Sequence, residues 1–227
     1  MAYRRKNRYS TINSGLKPPF ASFNPHTYDA PVMRNENIII TSIDPGIVNC
    51  GIYVGCYNTE KKEHTSIYLG KLTFNKSENH YIESINQLEQ LEEKEKCFSS
   101  SHYIVIESQM TVSYDNTRMA QHLITYFATA FKNKGNRPLE IEFTSQAKTR
   151  LLECPKGMKK YQYKKWCKEK AKSLLTERGK DSEKSFIRCL EVNKKSDDMG
   201  DSICQYYAWL MVMDGKAYEF PHPIKRY

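Results

Sequence analysis

The chain has 227 residues, 39% hydrophobic, 12% aromatic and 27% charged, enough apolar material for one real core and too much for a wholly disordered polymer. Thirty-five Lys and Arg against 26 Asp and Glu give a net charge of +9, which suits a polyanionic partner. No stretch approaches ~18 uninterrupted apolar residues, so no membrane-spanning helix is expected, and the basic start (Arg4, Arg5, Lys6, Arg8) lacks the apolar segment of a secretory signal.

Residues 1–36 carry Lys17-Pro18-Pro19, Asn24-Pro25 and Ala30-Pro31 with few aliphatics, and read as a basic, flexible arm. The globular part, 37–214, opens with the β-branched run Ile38-Ile39-Ile40-Thr41-Ser42-Ile43, stopped by the turn signal Asp44-Pro45-Gly46. Cys50 to Tyr57 and Ser66 to Phe74 are the next two strands, joined by a polar hairpin connection, so the first three strands are expected to be antiparallel. A polar helix over 78–96 places Ile82, Ile85, Leu88 and Leu91 at three-residue steps on its buried side. Tyr103-Ile104-Val105-Ile106 is a short apolar strand that ends at Glu107. A helix over 116–133 follows, with a stripe of Met119, Leu123, Tyr126, Phe127, Ala130 and Phe131, closed by Gly135. Leu139 to Phe143 alternates as a fifth strand. A lysine-rich helical insertion around 153–185 carries Tyr163, Trp166, Cys167, Ala171, Leu174 and Leu175 on one face. The last helix spans Asp197 to Met213, and 215–227 is a tail. Three antiparallel strands followed by strand–helix alternation predict an α/β fold: a five-stranded mixed sheet flanked by helices.

The charge is concentrated. Residues 145–180 hold twelve basic side chains and three acids, a local +9 equal to the net charge of the whole chain. A solvated helix face mixes signs more evenly, so Lys156, Lys159, Lys160, Lys164, Lys165 and Lys168 are candidate nucleic-acid contacts, against the bland reading of an ordinary lysine-rich helix. Seven cysteines without a C-x-x-C pair read as reduced intracellular thiols, not as a disulfide framework or a zinc site.

Three acidic positions stand at the ends of apolar elements: Asp44, Glu107, and Asp198 with Asp201 one helical turn apart. Each has a bland explanation. Asp-Pro-Gly is a common turn, Glu107 could pair with an arginine, and Asp197 and Asp198 suit a helix N-terminus without any function. Jointly they point to hard divalent cations, because Mg²⁺ is held by one or two carboxylates with water and substrate phosphate oxygens. Two such ions about 4 Å apart can activate water and stabilise a leaving oxygen.

The string Ser42-Ile43-Asp44-Pro45-Gly46-Ile47-Val48-Asn49-Cys50-Gly51 resembles the first motif of RuvC-type Holliday junction resolvases of the ribonuclease H-like superfamily. Ile104 to Gln109 resembles the second motif and Asp197 to Ser202 the third, and Lys148 follows the fifth strand, where these enzymes place a functional lysine. Size and lysine richness are closer to the resolvases of large eukaryotic DNA viruses and fungal mitochondria, and so to a viral replication compartment or a mitochondrion. The resemblance implies a ribonuclease H-like fold and a homodimer that cuts four-way junctions by paired nicks in DNA recombination and repair, leaving 5′-phosphate ends. It implies two Mg²⁺ ions, replaceable by Mn²⁺, on Asp44, Glu107, Asp198 and Asp201, with Lys148 catalytic. The doubled Asp197-Asp198 leaves open which of the two binds metal. The helix over 116–133 is a candidate dimer face or an ordinary core helix. The rival readings are a nuclease for flaps, bubbles or RNA–DNA hybrids, and a non-catalytic nucleic-acid-binding module.

Neutralising two of Lys159, Lys160, Lys164 and Lys165 is expected to reduce the log–log salt slope of DNA binding by up to ~2, with little change between DNA sequences. An unchanged slope in a fluorescence-anisotropy titration returns the stretch to an ordinary solvated face.

Overall fold

Side chains alternate across each strand, and that alternation builds two cores on one sheet. In a computed structural model, which describes residues 21–22, 36–75, 79–109, 113–133, 137–177, 183–193 and 196–215, β2 (Asn37–Asp44) sends Ile38 and Ile40 to one face and Ile39 and Ile43 to the other. β5 (Tyr103–Ser108) divides Tyr103 and Val105 from Ile104 and Ile106 in the same way. β3 (Asn49–Asn58) follows suit, with Tyr53 and Tyr57 on the first face and Cys50, Ile52 and Val54 on the second, whereas β6 (Leu139–Thr144) gives Ile141 and Phe143 to the first face and carries Glu140 and Glu142 on its other side.

The sheet has the order β1-β6-β5-β2-β3-β4, with β4 over Glu63–Thr73. β2, β3 and β4 pair antiparallel, as expected, and β2, β5 and β6 pair parallel. The sheet thus has the five strands expected from the sequence and one unforeseen addition. Ala21–Ser22, inside the predicted arm, forms β1 and pairs parallel with β6 at the edge. The rest of the arm expectation (residues 1–20 and 23–35), the Gly135 helix stop and the tail beyond Gly215 lie outside the described residues.

The second face is covered by α1 (His80–Glu95) and α2 (Tyr114–Ala130). Met119, Leu123, Phe127 and Phe131 of the predicted stripe are buried there and serve as core within this chain, whereas Tyr126 is half-buried and Ala130 exposed. In α1 one expectation fails: Ile82 is 56% exposed. Three-residue steps fall 60° short of a full turn each, so Ile82 ends up opposite Leu91. The buried stripe runs Ser84, Leu88 and Leu91, at four- and three-residue steps.

The first face is covered by α6 (Asp197–Met213), on which α4 (Lys160–Glu177) packs, with the short α3 (Ser145–Leu151) and α5 (Lys184–Val192) beside them. Neither short helix is visible in the sequence pattern, since seven to nine residues carry too few turns for a periodic signal. From Ser202 to Leu210 every residue of α6 is buried, because the helix lies between the sheet and α4. Two glycines permit that approach. A Cβ on Gly51 would stand 2.1 Å from the Asp198 carbonyl oxygen, and one on Gly200 would stand 3.3 Å from Lys168 Cα.

Gly51→Ala is therefore expected to destabilise the fold by about 1–3 kcal/mol, because the obstacle is helix backbone and cannot rotate aside. Urea unfolding checks this. A midpoint equal to wild type would mean the start of α6 shifts freely.

Candidate active site

Three parallel strands, β2, β5 and β6, end at one edge of the sheet, the edge where open α/β sheets place their ligands. Asp44 follows the last β2–β5 row, Ile43 with Ile106, and Glu107 is the next residue of β5. Period-two alternation puts Asp44 with Ile38 and Ile40, and Glu107 with Tyr103 and Val105, so both acids face α6. Across the sheet Asp44 is in register with Gly51, and Gly51 with Lys71 of β4. The bare Gly51 position admits the first turn of α6, which brings Asp198 and Asp201 over Asp44.

Further along α6, the buried Gln205 Nε2 donates to the carbonyls of Ile43 at 3.1 Å and Val105 at 2.9 Å. This one amide ties the helix to both acid-bearing strands, just before their acids. After β6, the Thr144 hydroxyl accepts from the Ala147 backbone N–H at 3.1 Å and starts α3, whose inner side carries Lys148.

The Lys148 ammonium is fully buried and bridges two of the predicted acids, donating to Glu107 Oε2 at 2.7 Å and Asp201 Oδ1 at 2.6 Å. Burial alone would lower its pKa, but the charges of Asp201 and Glu107 more than reverse this and hold the proton far above the usual lysine range. Asp44 is pushed well above the carboxylate range by burial and then by the charges of Glu107 and Asp201, against the pull of Lys148. Glu107 is raised by burial, opposed by Lys148 and by a hydrogen bond with Asp44. Asp198 is raised by burial and by Asp197. The acids face one another with too little positive charge between them.

That deficit suits an added cation. Among the described residues no three His, Cys, Asp or Glu side chains converge closely enough to enclose an ion by themselves. The donor set is instead the sparse, all-carboxylate kind that suits Mg²⁺, which keeps most of its water and takes phosphate oxygens from substrate.

All five predicted residues, Asp44, Glu107, Lys148, Asp198 and Asp201, thus lie in one electrostatically linked group. Asp197 differs: it pairs with Lys164 of α4, and although burial raises its carboxyl, that hydrogen bond and charge bring it below the ordinary value. Of the candidate DNA contacts, Lys156, Lys159, Lys160 and Lys165 are exposed, Lys168 is half-buried, and Lys164 is exposed but engaged with Asp197. Sequence reasoning missed three neighbours. The Tyr163 hydroxyl donates to Asp201 Oδ1 at 3.1 Å, the Cys167 thiol reaches the same oxygen at 3.2 Å, and the Lys71 charge acts on Asp197 and Asp198. The hairpin register could have located Lys71. The predicted apolar face of the lysine-rich helix already held Tyr163 and Cys167, without any sign of what it covers.

A mixed sheet of this order between two helical layers is the fold of the Holliday junction resolvases. The structure aligns with Thermus thermophilus RuvC in complex with a Holliday junction substrate at a TM-score of 0.53 and 10% identity, over 81% of this chain and 100% of that one. It aligns with the fowlpox virus resolvase in complex with substrate Holliday junction DNA at 0.53 and 18%, over 80% and 100%. The yeast mitochondrial Holliday junction resolvase gives 0.55 and 14%, over 78% and 82%. Among curated sequences the chain is 30% identical over 146 residues to the uncharacterized protein 170L of Invertebrate iridescent virus 6, a stretch covering 55% of this chain and 57% of that protein. The match thus spans little more than half of the relative's length. No family model matches the sequence.

Replacing Lys148 by Met would leave the buried Glu107 and the half-buried Asp201 without their ammonium. In metal-free protein this is expected to cost about 3–5 kcal/mol in urea unfolding. A loss under about 1 kcal/mol, the scale of a solvated surface pair, would contradict the buried bridge.

Proposed function

We propose that this chain is a divalent-metal-dependent, structure-selective endonuclease that resolves four-way DNA junctions by paired nicks. The observation that carries this reading is the buried Lys148 bridging Glu107 and Asp201, with Asp44 beside them, at the carboxyl edge of three parallel strands. The shared fold supports it, since two of the structural neighbours are complexes with Holliday junctions.

Asp44, Glu107, Asp198 and Asp201 would hold the metal, Mg²⁺ with Mn²⁺ as a substitute. Bound there, two such ions supply Lewis-acid activation of water and stabilise the leaving oxygen. Asp198 is favoured over Asp197 as the ligand, because Asp197 is already neutralised by Lys164 while Asp198 lacks an ion-pair partner among the described residues. Lys148 keeps its proton and brings a fixed positive charge to the phosphate as negative charge develops on its oxygens. The exposed Lys156, Lys159, Lys160 and Lys165 hold DNA by its phosphates, which fixes register and orientation without reading bases. Two symmetric nicks need two such centres, hence a homodimer.

Side-by-side incubation of the protein with synthetic four-way junctions, flaps and RNA–DNA hybrids in Mg²⁺ tests the reading. Junctions are expected to be cut into nicked duplexes with 5′-phosphate ends, faster than the other substrates. Asp44→Asn, Glu107→Gln, Asp198→Asn and Asp201→Asn should each bring cleavage to background while junction binding persists, and Asp197→Asn should cut. Preferred cleavage of flaps or hybrids would replace the junction reading. Wild-type rates in all four acid variants would leave a binding module.

A further inference from the structure

The Asp201 carboxylate is held asymmetrically. Lys148 Nζ at 2.6 Å, the Tyr163 hydroxyl at 3.1 Å and the Cys167 thiol at 3.2 Å all converge on Oδ1. Among the described residues no hydrogen bond reaches Oδ2. Two of the three donors come from α4, where residues 163 and 167 are one turn apart on the face against α6. The close crossing of the two helices at Gly200 fixes their separation there, with Lys168 Cα 3.3 Å from the place of a Cβ. The Tyr163 ring is itself held, stacked on Trp166 with centroids 5.9 Å apart.

We propose that Tyr163 is a positioning residue for the metal centre: with Cys167 it fixes Oδ1 of Asp201 and leaves Oδ2 to a divalent cation. The inference rests on the metal-dependent reading given under Proposed function and deepens it. A carboxylate free to rotate can present either oxygen, whereas one whose first oxygen is fixed by outside donors presents the other in a single orientation. Such supporting hydrogen bonds around metal ligands are typically worth 10–100-fold in metal affinity or activity. The helix that carries the exposed lysines is then also the helix that orients a metal ligand. From the sequence this helix was expected to offer a basic surface and an apolar packing face, with no part in the acidic cluster.

The test is Tyr163→Phe, which keeps the ring and its stacking on Trp166 and removes only the hydroxyl. Tyr161→Phe is the control, a phenol on the same helix that is 67% exposed. Isothermal calorimetry of the metal-free proteins with Mn²⁺ is expected to show a dissociation constant about tenfold larger for Tyr163→Phe and unchanged for Tyr161→Phe. Single-turnover junction cleavage should need about tenfold more Mg²⁺ for half its maximal rate and recover at saturating Mg²⁺, with junction affinity in Ca²⁺ unchanged. A merely structural role would lower thermal stability or junction binding without moving the metal dependence, and that result overturns the proposal. So does an unchanged Mn²⁺ isotherm in a variant of an active wild type. If the wild-type protein neither binds Mn²⁺ nor cuts any branched substrate, the nuclease reading itself falls, and the positioning role with it.

Discussion

A lysine ammonium sealed between two carboxylates is the contact on which the rest of this molecule turns. Lys148 is as buried as any isoleucine of the core, and an isolated charge in that position would be severely penalised. It is tolerable only because Glu107 and Asp201 each lie within 2.7 Å, on two other elements of the fold. β5, α3 and α6 must therefore meet at one point. That requirement reaches outward to the residues that make the meeting possible: Gly51, which clears the path of α6, Gln205, which ties it to β2 and β5, and Thr144, which starts α3 in the right place.

The bridge does not settle the charge balance of the site. Asp44 and Asp198 stand beside it, and burial together with mutual repulsion raises both. A fold that only needed to fill space would not gather four acids around one lysine, since the same volume filled with apolar side chains is often as stable or more so. Under the proposed function the cluster holds divalent cations, at the end of parallel strands where open α/β sheets bind their ligands.

The lysines of this chain fall into two different environments by position alone. Lys148, whose place in the sequence is inside the basic stretch, belongs electrostatically to the acids. Lys159, Lys160 and Lys165 face water. Lys164 stands between the two groups, exposed yet paired with Asp197, and Lys172 pairs with its own helix neighbour Glu169. Net charge over 145–180 is thus a fair guide to where a polyanion would be attracted and a poor guide to what any single lysine does.

Much of the architecture was legible in the sequence. The β-branched run Ile38 to Ile43 marks a strand dry on both sides, and the stripe Met119, Leu123, Phe127 reports which side of α2 is dry, because burial repeats with the period of the element itself. Alternation located the strand Leu139 to Phe143 but not its dry side, since Glu140 is buried beside Arg137. The acids were legible for a similar reason: a carboxylate ending an apolar run is costly enough to stand out. Where the period was misread the error was local, as at Ile82, and short elements such as α3, α5 and β1 gave too little repeat to detect. The partners across elements were decided only in three dimensions. Nothing within residues 160–177 states that Tyr163 and Cys167 will meet Asp201, because that contact depends on where α4 crosses α6, and the crossing depends on Gly200 and on a sheet assembled from distant strands. Periodicity is a property of one segment, whereas a hydrogen bond between segments is set by the packing of all of them.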